Sequence, residues 1–471
     1  MKPLGVGLTF VKELLPLLRD AGEAVSVIEV EPQTLWQLSR DGDEDKYIPN
    51  YELYEALLEL PQPKLLHSIG LPVGSSRPLE PAQIRPLREL AGLLHPPWAS
   101  EHLSFNAMDE GGHWSSVGFL LPPLESPETV VVAAAKIRAL SDSLGLPVAF
   151  ETGVNYLQPQ PYEMHDGDFF AAVTRAADCG VLVDLHNLWA NDVNGRAPAR
   201  DVLARLPLDR VWELHFAGGM PLGGHWLDAH SGAIPEPVLE LAAEFIPRMP
   251  NLGALVFEIM GEHVGKLGFE EVAKQVKSMS ELWNLRQTRE IRIHTAVNGE
   301  MVAEPRSLAA VRAWENTLGG LVLGREPLGD AAPCLRSDPG IRLFQQLVCE
   351  ARTGFVAEGL RHTTSLLLCT LGGARVRQLL AEFADSCPPE LFVSAEADAF
   401  ARFLREKALP IPYLEEVLSF EHALVRATLF GESSTVHFIH EPTALLESLE
   451  RGQLPDEPAC LRTSLVIRGA G

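Results

Sequence analysis

Basic residues are in short supply: 39 Lys and Arg stand against 63 Asp and Glu, a formal net charge of −24. Affinity for a phosphate backbone rests on clustered cations, so this deficit argues against a nucleic-acid partner, though not against a small anionic ligand. Cysteine is sparse as well. The six residues, Cys179, Cys334, Cys349, Cys369, Cys387 and Cys460, form no CxxC pair. They suit reduced thiols in a cytosol better than a disulfide framework. No apolar run is long enough to span a bilayer, and residues 1–20 lack the charged start and cleavage pattern of a signal peptide. The expectation is a cytoplasmic chain with no membrane partner. Its 471 residues exceed one ordinary core and predict two domains.

Eight short apolar runs punctuate the first 285 residues: LGVGL (4–8), VSVIEVE (25–31), KLLHSIG (64–70), WASEHLS (98–104), PVAFET (147–152), GVLVDLHN (180–187), VWELHF (211–216) and GALVFEI (253–259). Between them lie stretches such as 11–21, 82–94 and 127–145, where apolar residues recur at three and four, the helical period. Strands alternating with helices imply right-handed βαβ units on a parallel sheet. Eight units over this length predict a (β/α)8 TIM barrel. A doubly wound open sheet is the competitor, and it lacks the GxGxxG that would open a helix after the first strand.

The runs end in polar residues. Glu29 and Glu31, His67, Glu101 and His102, Glu151, Asp184 with His186 and Asn187, Glu213 and His215, and Glu258 all fall at strand ends. In a barrel these ends form the C-terminal rim, where active sites are built. The stretch RVWELHFAGGMPLGGHWLDAHSGA (210–233) is the densest. Glu213 and His215 share one strand face, and Asp228 and His230 repeat the acid-x-His spacing beyond a Gly-rich loop. Uncompensated carboxylates in one cavity would repel and resist desolvation. Cations resolve that conflict, and the donor count exceeds what one four-coordinate ion could use. Carboxylate and imidazole without thiolate point to a metal of hard or intermediate character. Two or three ions are expected.

In order along the chain, HSIGL (67–71), SEHLSF (100–105), FLLPPL (119–124), FETGVNYL (150–157), LVDLHN (182–187), ELHFAG (213–218), DAHSGA (228–233) and FEI (257–259) resemble the multinuclear non-haem iron-dependent oxidative enzymes. That resemblance covers roughly residues 4–285. Carried over position by position, it implies the metal ligands His67, His102, Glu151, Asp184, Asn187, His215, Asp228, His230 and Glu258, with His186, Glu213 and Glu31 as possible additions. It further implies two or three irons in mixed Fe(II)/Fe(III) states, O2 as co-substrate, and oxidation of a residue in a ribosomally synthesised precursor peptide. That residue would be a Cys, or a C-terminal Asp or Asn. Three positions depart from the commonest pattern. The second strand ends IEVEPQTLW (28–36) rather than in a His-Ser-Glu-Asn run. Asp-Val-Asn-Asn becomes Asp184-Leu185-His186-Asn187, and an Asn-His-Gly loop becomes NDVNGR (191–196). His95, His113, His165 and His263 read as solvated, while His225 is either a substrate contact or loop filler.

Beyond the barrel domain (1–290), residues 291–307 read as a linker and 308–471 as a mainly helical domain ending in a small winged α/β module. Helices are expected over 309–324, 340–371 and 395–407, with strand, helix and strand over 437–469. The segment 401–427 resembles the partner proteins of the same iron enzymes, which implies peptide recruitment and makes a separate partner protein unnecessary. A strand edge there would suit β-augmentation by an extended peptide; a helical dimerisation domain is the alternative. Two rivals stand against the oxidative reading as a whole. One is a divalent-metal isomerase or hydrolase of the xylose-isomerase or endonuclease-IV kind, and the other is a non-catalytic metal- and peptide-binding protein.

Overall fold

The structure is a computed structural model and describes residues 2–20, 22–39, 45–287, 290–293, 305–325, 332–430, 432–455 and 460–469. Eight parallel strands close into a barrel: β1 (Gly5–Thr9), β2 (Val27–Val30), β3 (Lys64–Ser68), β4 (Ala99–His102), β5 (Val148–Glu151), β6 (Gly180–Asp184), β7 (Val211–Ala217) and β8 (Ala254–Glu258). Each pairs with its neighbours in sequence, and β8 returns to β1. The TIM barrel read from periodicity is therefore the fold. Helices such as Pro81–Leu94, Pro127–Leu144 and Asp166–Ala177 join successive strands. Ser126 caps the second of these by accepting from Thr129 N, the usual answer to unsatisfied N–H groups in a first turn.

Strand ends fall within three residues of their predicted places. The largest difference is after Asp184, whose side chain accepts from Asn187 N at 2.8 Å and so caps the helix Leu185–Val193. His186 and Asn187 are thereby helical, not the continuation of a strand. Strand β7 carries a register shift, since Val181 pairs with Val211 but Leu182 with Glu213. The extra residue, Trp212, joins Trp98, Val27, Leu65, Ala149, Leu182, Ala254 and Ile291 in one apolar cluster. Only a glycine at 180 leaves room for that indole, because a Cβ there would lie 2.2 Å from Trp212. This apolar floor confines the polar chemistry to the strands' C-terminal ends.

The chain divides into two compact units, one of Met1–Leu35, Pro49–Trp114 and Leu120–Phe344, the other of Trp36–Ile48, Ser115–Phe119 and Gln345–Gly471. A boundary at 308 was expected, yet the helix Pro305–Val322 belongs with the barrel. Trp314 Nε1 donates to Pro122 O at 3.1 Å, and the Glu315 carboxylate takes both the N–H (2.6 Å) and the hydroxyl of Ser76. Farther on, Asp338 accepts from Gln158 N at 2.9 Å. Most of the expected linker, 294–304, lies outside the described residues.

The second unit is mainly helical, with Arg361–Ser386, Val393–Lys407 and Leu414–Phe430 around Phe383, Phe400, Leu404, Val417 and Phe438. One helix was expected over 340–371. The chain instead breaks at Leu360 (φ −132°, ψ 58°), and the helix that follows is interrupted at Gly372, where φ is 74°. Strand, helix and strand end the chain as read: β9 (Ser434–His440), Pro442–Glu450 and β10 (Cys460–Ile467), with the two strands paired antiparallel.

Candidate metal centre

At the rim, β3, β4 and β5 bring three donors together. His67 Nδ1 lies 2.8 Å from Ser100 Oγ, which turns Nε2 inward to 3.2 Å from both His102 Nε2 and Glu151 Oε2. His102 Nδ1 lies 2.6 Å from the same Glu151 oxygen. Glu151 continues into a second group with Asp184, His215 and Glu258, in which each residue offers an atom within 4.8 Å of the others. His215 Nδ1 is 3.1 Å from Glu258 Oε1 and 3.6 Å from Glu151 Oε1. Its other nitrogen, Nε2, faces Glu29 Oε1 at 2.9 Å. The loop after β7 adds His230, whose Nε2 lies 3.1 Å from Asp228 Oδ1 and 3.4 Å from Glu258 Oε2. His230 takes a left-handed backbone (φ 43°), a conformation uncommon for residues with a Cβ.

Close approach here does not mean hydrogen bonding. Glu151 Oε2, Asp184 Oδ2, Asn187 Oδ1, both ring nitrogens of His215, Asp228 Oδ1 and Glu258 Oε2 are all buried without a hydrogen-bond partner. Each such orphan ordinarily costs about 1–3 kcal/mol. Lone pairs that converge but do not align on protons suit cations, and the mixed oxygen and nitrogen set suits iron, manganese or zinc. The residues present thus fit a multinuclear centre.

Electrostatics agree. Burial pushes Asp184 well above the usual carboxylate range, and the charges of Asp228, Glu151 and Glu258 add to it. Glu151 moves the other way: burial would raise it, but His102 and His67 hold it well below. For His67 burial works downward, and the Glu151 carboxylate outweighs it, pushing the imidazole up to about 10. His215 and His230 are raised on the same pattern, by Glu258 and by Asp228 respectively. Cation binding competes with protons for these imidazoles and carboxylates.

Eight of the nine ligand positions taken from the resemblance come together at this rim; Asn187 follows Asp184 in the turn that Asp184 caps, and its buried Oδ1 has no hydrogen-bond partner. The three additional positions differ. His186 Nε2 accepts from Trp226 Nε1 at 3.0 Å, while Nδ1 lies 3.2 Å from Asp228 Oδ1 without an aligned hydrogen bond. Glu213 sits lower, receives Trp98 Nε1 at 2.8 Å, and groups with Glu29 and His215. Burial, then the Glu258 charge, raises Glu31, placing its carboxyl within electrostatic reach of the centre. Glu29 reads in sequence only as a strand-end acid, two residues before Glu31, which lies just past the end of β2. Tyr156, whose hydroxyl accepts from Asp228 N at 3.0 Å, had no signal in sequence. Two histidines read as solvated have local roles: His165 caps a helix by accepting from Gly167 N, and His95 ends one with φ 49°. His225 lies edge-on to Tyr156, with ring centroids 6.2 Å apart.

Residues 5–262 match the family model described as "RiPP precursor modification enzyme MbnB/TglH/ChrH". A UPF0276 protein of Anaeromyxobacter is 32% identical over 206 residues, covering 44% of this chain and 71% of that protein. A UPF0276 protein of Chromobacterium violaceum is 33% identical over 187 residues, covering 40% and 66%. Among solved structures, D-psicose 3-epimerase of Clostridium cellulolyticum H10 has a TM-score of 0.38 at 10% identity, over 61% of this chain and 100% of that one. A xylose isomerase-like TIM barrel protein of Mycobacterium smegmatis, in complex with magnesium, also scores 0.38, at 12% identity over 60% and 98%. At these scores the likeness says nothing of chemistry.

Proposed function

The chain belongs to the MbnB/TglH/ChrH family of RiPP precursor modification enzymes, and from that premise we propose that it catalyses an iron- and O2-dependent oxidation of one residue in a ribosomally made precursor peptide. The observation that carries this reading is the set of buried, unbonded lone pairs on Glu151, Asp184, His215, Asp228 and Glu258 at the strand ends. Two or three irons in mixed ferrous and ferric states would supply the electron transfer that joins O2 reduction to oxidation of a Cys, or of a C-terminal Asp or Asn. His67, His102 and Glu151 would hold one ion. Glu151, Asp184, His215 and Glu258 would hold a second, and Asp228, His230 and Asn187 would complete the set. Ser100 hydrogen-bonds the nitrogen of His67 that points away from the centre, and Glu29 lies 2.9 Å from the outward nitrogen of His215, the places that outer partners of metal-bound histidines take. The floor of Trp98 and Trp212 keeps water from the barrel's other end.

Metal analysis tests the reading. Protein produced with ample iron and purified without oxygen is expected to carry more than one iron per chain. Stoichiometric zinc, with peptide turnover unaffected by iron removal, would overturn it in favour of a hydrolase or isomerase.

The second unit we assign to peptide recruitment, in place of a separate partner protein. Strand β9 borders a groove of 640 Å3 shared with Tyr413, Glu416, His422 and Arg426, and an extended peptide can add to such an edge. Tethering makes delivery intramolecular, worth roughly 10²–10⁴ in avidity. Hydrogen exchange with a peptide the enzyme modifies is expected to slow over residues 434–440 or 460–467. Protection restricted to the barrel would instead make this unit a structural or dimerising one.

A further inference from the structure

Helix Leu185–Val193 and the hairpin Met220–Leu222/His225–Leu227 meet through side chains that the metal ligands do not use. Asn194 grips the backbone of Trp226 on both sides: its Nδ2 donates to Trp226 O at 3.0 Å and its Oδ1 accepts from Trp226 N at 2.8 Å. The indole stands edge-on to Trp189, with centroids 5.1 Å apart, and its Nε1 donates to His186 Nε2 at 3.0 Å. Gly219 makes room for that bond, since a Cβ there would lie 2.5 Å from Trp226 Nε1 and 2.7 Å from His186 Nε2.

An indole N–H only donates, so His186 Nε2 must present its lone pair and the neutral ring must carry its proton on Nδ1. His186 is fully buried, and Nδ1 has no aligned hydrogen-bond partner. The acceptor it faces is Asp228 Oδ1, 3.2 Å away and off the ideal axis. Neither nitrogen has a lone pair free for a metal. Asp228, by contrast, sits in a stretch without helix or strand, and its backbone is tied by the Tyr156 hydroxyl alone among the bonds described above. Its Oδ1 lies between two imidazoles, 3.1 Å from His230 Nε2 and 3.2 Å from His186 Nδ1, and of the two only His186 stands on a helix.

We propose that His186, locked in one tautomer by Trp226, is a positioning residue that directs its Nδ1–H at the Asp228 carboxylate and so sets the loop's contribution to the metal centre. This rests on the reading of Asp228 as a ligand. The chain of contacts runs from Asn194 through Trp226 and His186 to Asp228, so the helix after β6 dictates the geometry of a ligand delivered by the loop after β7.

The test uses the full chain, stripped of metal, in two measurements. Nitrogen NMR of 15N-histidine-labelled protein is expected to show His186 as a single Nδ1–H tautomer, and Trp226→Phe to turn it into a mixture. A wild-type Nε2–H tautomer would overturn the proposal. Anaerobic titration with ferrous iron alone is expected to show one site weakened roughly ten- to hundredfold in His186→Leu, the same site that Asp228→Ala removes. His186→Asn, whose amide can replace the Nδ1–H, is expected to restore that affinity. Trp226→Phe keeps an aromatic ring in place and is expected to weaken the same site, which provides the answer if His186→Leu does not fold. Wild-type iron affinity in His186→Leu and Trp226→Phe, with the site still lost in Asp228→Ala, sinks the positioning role and leaves the metal centre standing. Unchanged iron in Asp228→Ala removes both.

Discussion

Glu151→Ala is expected to lose bound iron and turnover together while far-ultraviolet circular dichroism stays at the wild-type level. Glu151 is the residue the two halves of the centre share: Oε2 meets His102 at 2.6 Å and His67 at 3.2 Å, and Oε1 faces His215 at 3.6 Å. On the proposed assignment its loss would leave one ion without its carboxylate and would remove a donor from the next. The fall in activity should exceed the ten- to hundredfold typical of outer partners of metal ligands. The fold survives because Val148, Ala149 and Phe150 of the same strand are buried apolar residues that the substitution does not touch. In the metal-free chain Asp184 and Glu258 also lose a repelling neighbour, which offsets part of any destabilisation. His102→Ala should behave alike. Wild-type iron content and rate in Glu151→Ala would mean that the centre lies elsewhere.

A chain ending at residue 290 should not fold cooperatively, although periodicity alone suggested that 1–290 stands as a complete domain. It lacks the helix bearing Val311, Trp314 and Leu318 and the segment bearing Leu335, Ile341 and Phe344, all buried. At roughly 1.5–3 kcal/mol for each large side chain removed from water, the loss of these six amounts to about 9–18 kcal/mol, an upper estimate because an unfolded chain already buries some of that surface. That is comparable with the ~5–15 kcal/mol that holds a typical domain together. Truncation also strands polar groups, because Ser76 loses the Glu315 carboxylate and Gln158 N loses Asp338. Thermal unfolding of the truncated chain should show no sharp transition, and residues 300–471 added in trans should not rescue turnover. A single cooperative transition near the full-length temperature would show the barrel to be self-sufficient.

Most of the rim was legible in sequence because strand side chains alternate with period two. His67, His102, Glu151, Asp184, His215 and Glu258 announce themselves as polar residues closing apolar runs, and the barrel then gathers whatever stands at those ends. The family motifs extended this to Asn187, Asp228 and His230, which lie outside the barrel strands. Glu29 was visible but unranked, since its worth depends on lying 2.9 Å from a nitrogen of His215, far along the chain. His186 was read as a possible ligand from its spacing beside Asp184 and Asn187; that it stands on a helix and that the Trp226 indole occupies its Nε2 could be seen only in the structure.

The sequence by itself therefore determined the eight-fold alternation, the residues at the strand ends and the family, because these depend on local periodicity and on motif order. Only the tertiary structure decided which donors lie close enough to share an ion, which nitrogen His67 turns inward, and that the helix Pro305–Val322 belongs to the barrel unit. Those outcomes depend on distances between residues remote in the chain. An amphipathic helix declares that it must bury one face, not against what, and an imidazole declares two nitrogens, with its neighbours in space assigning the proton.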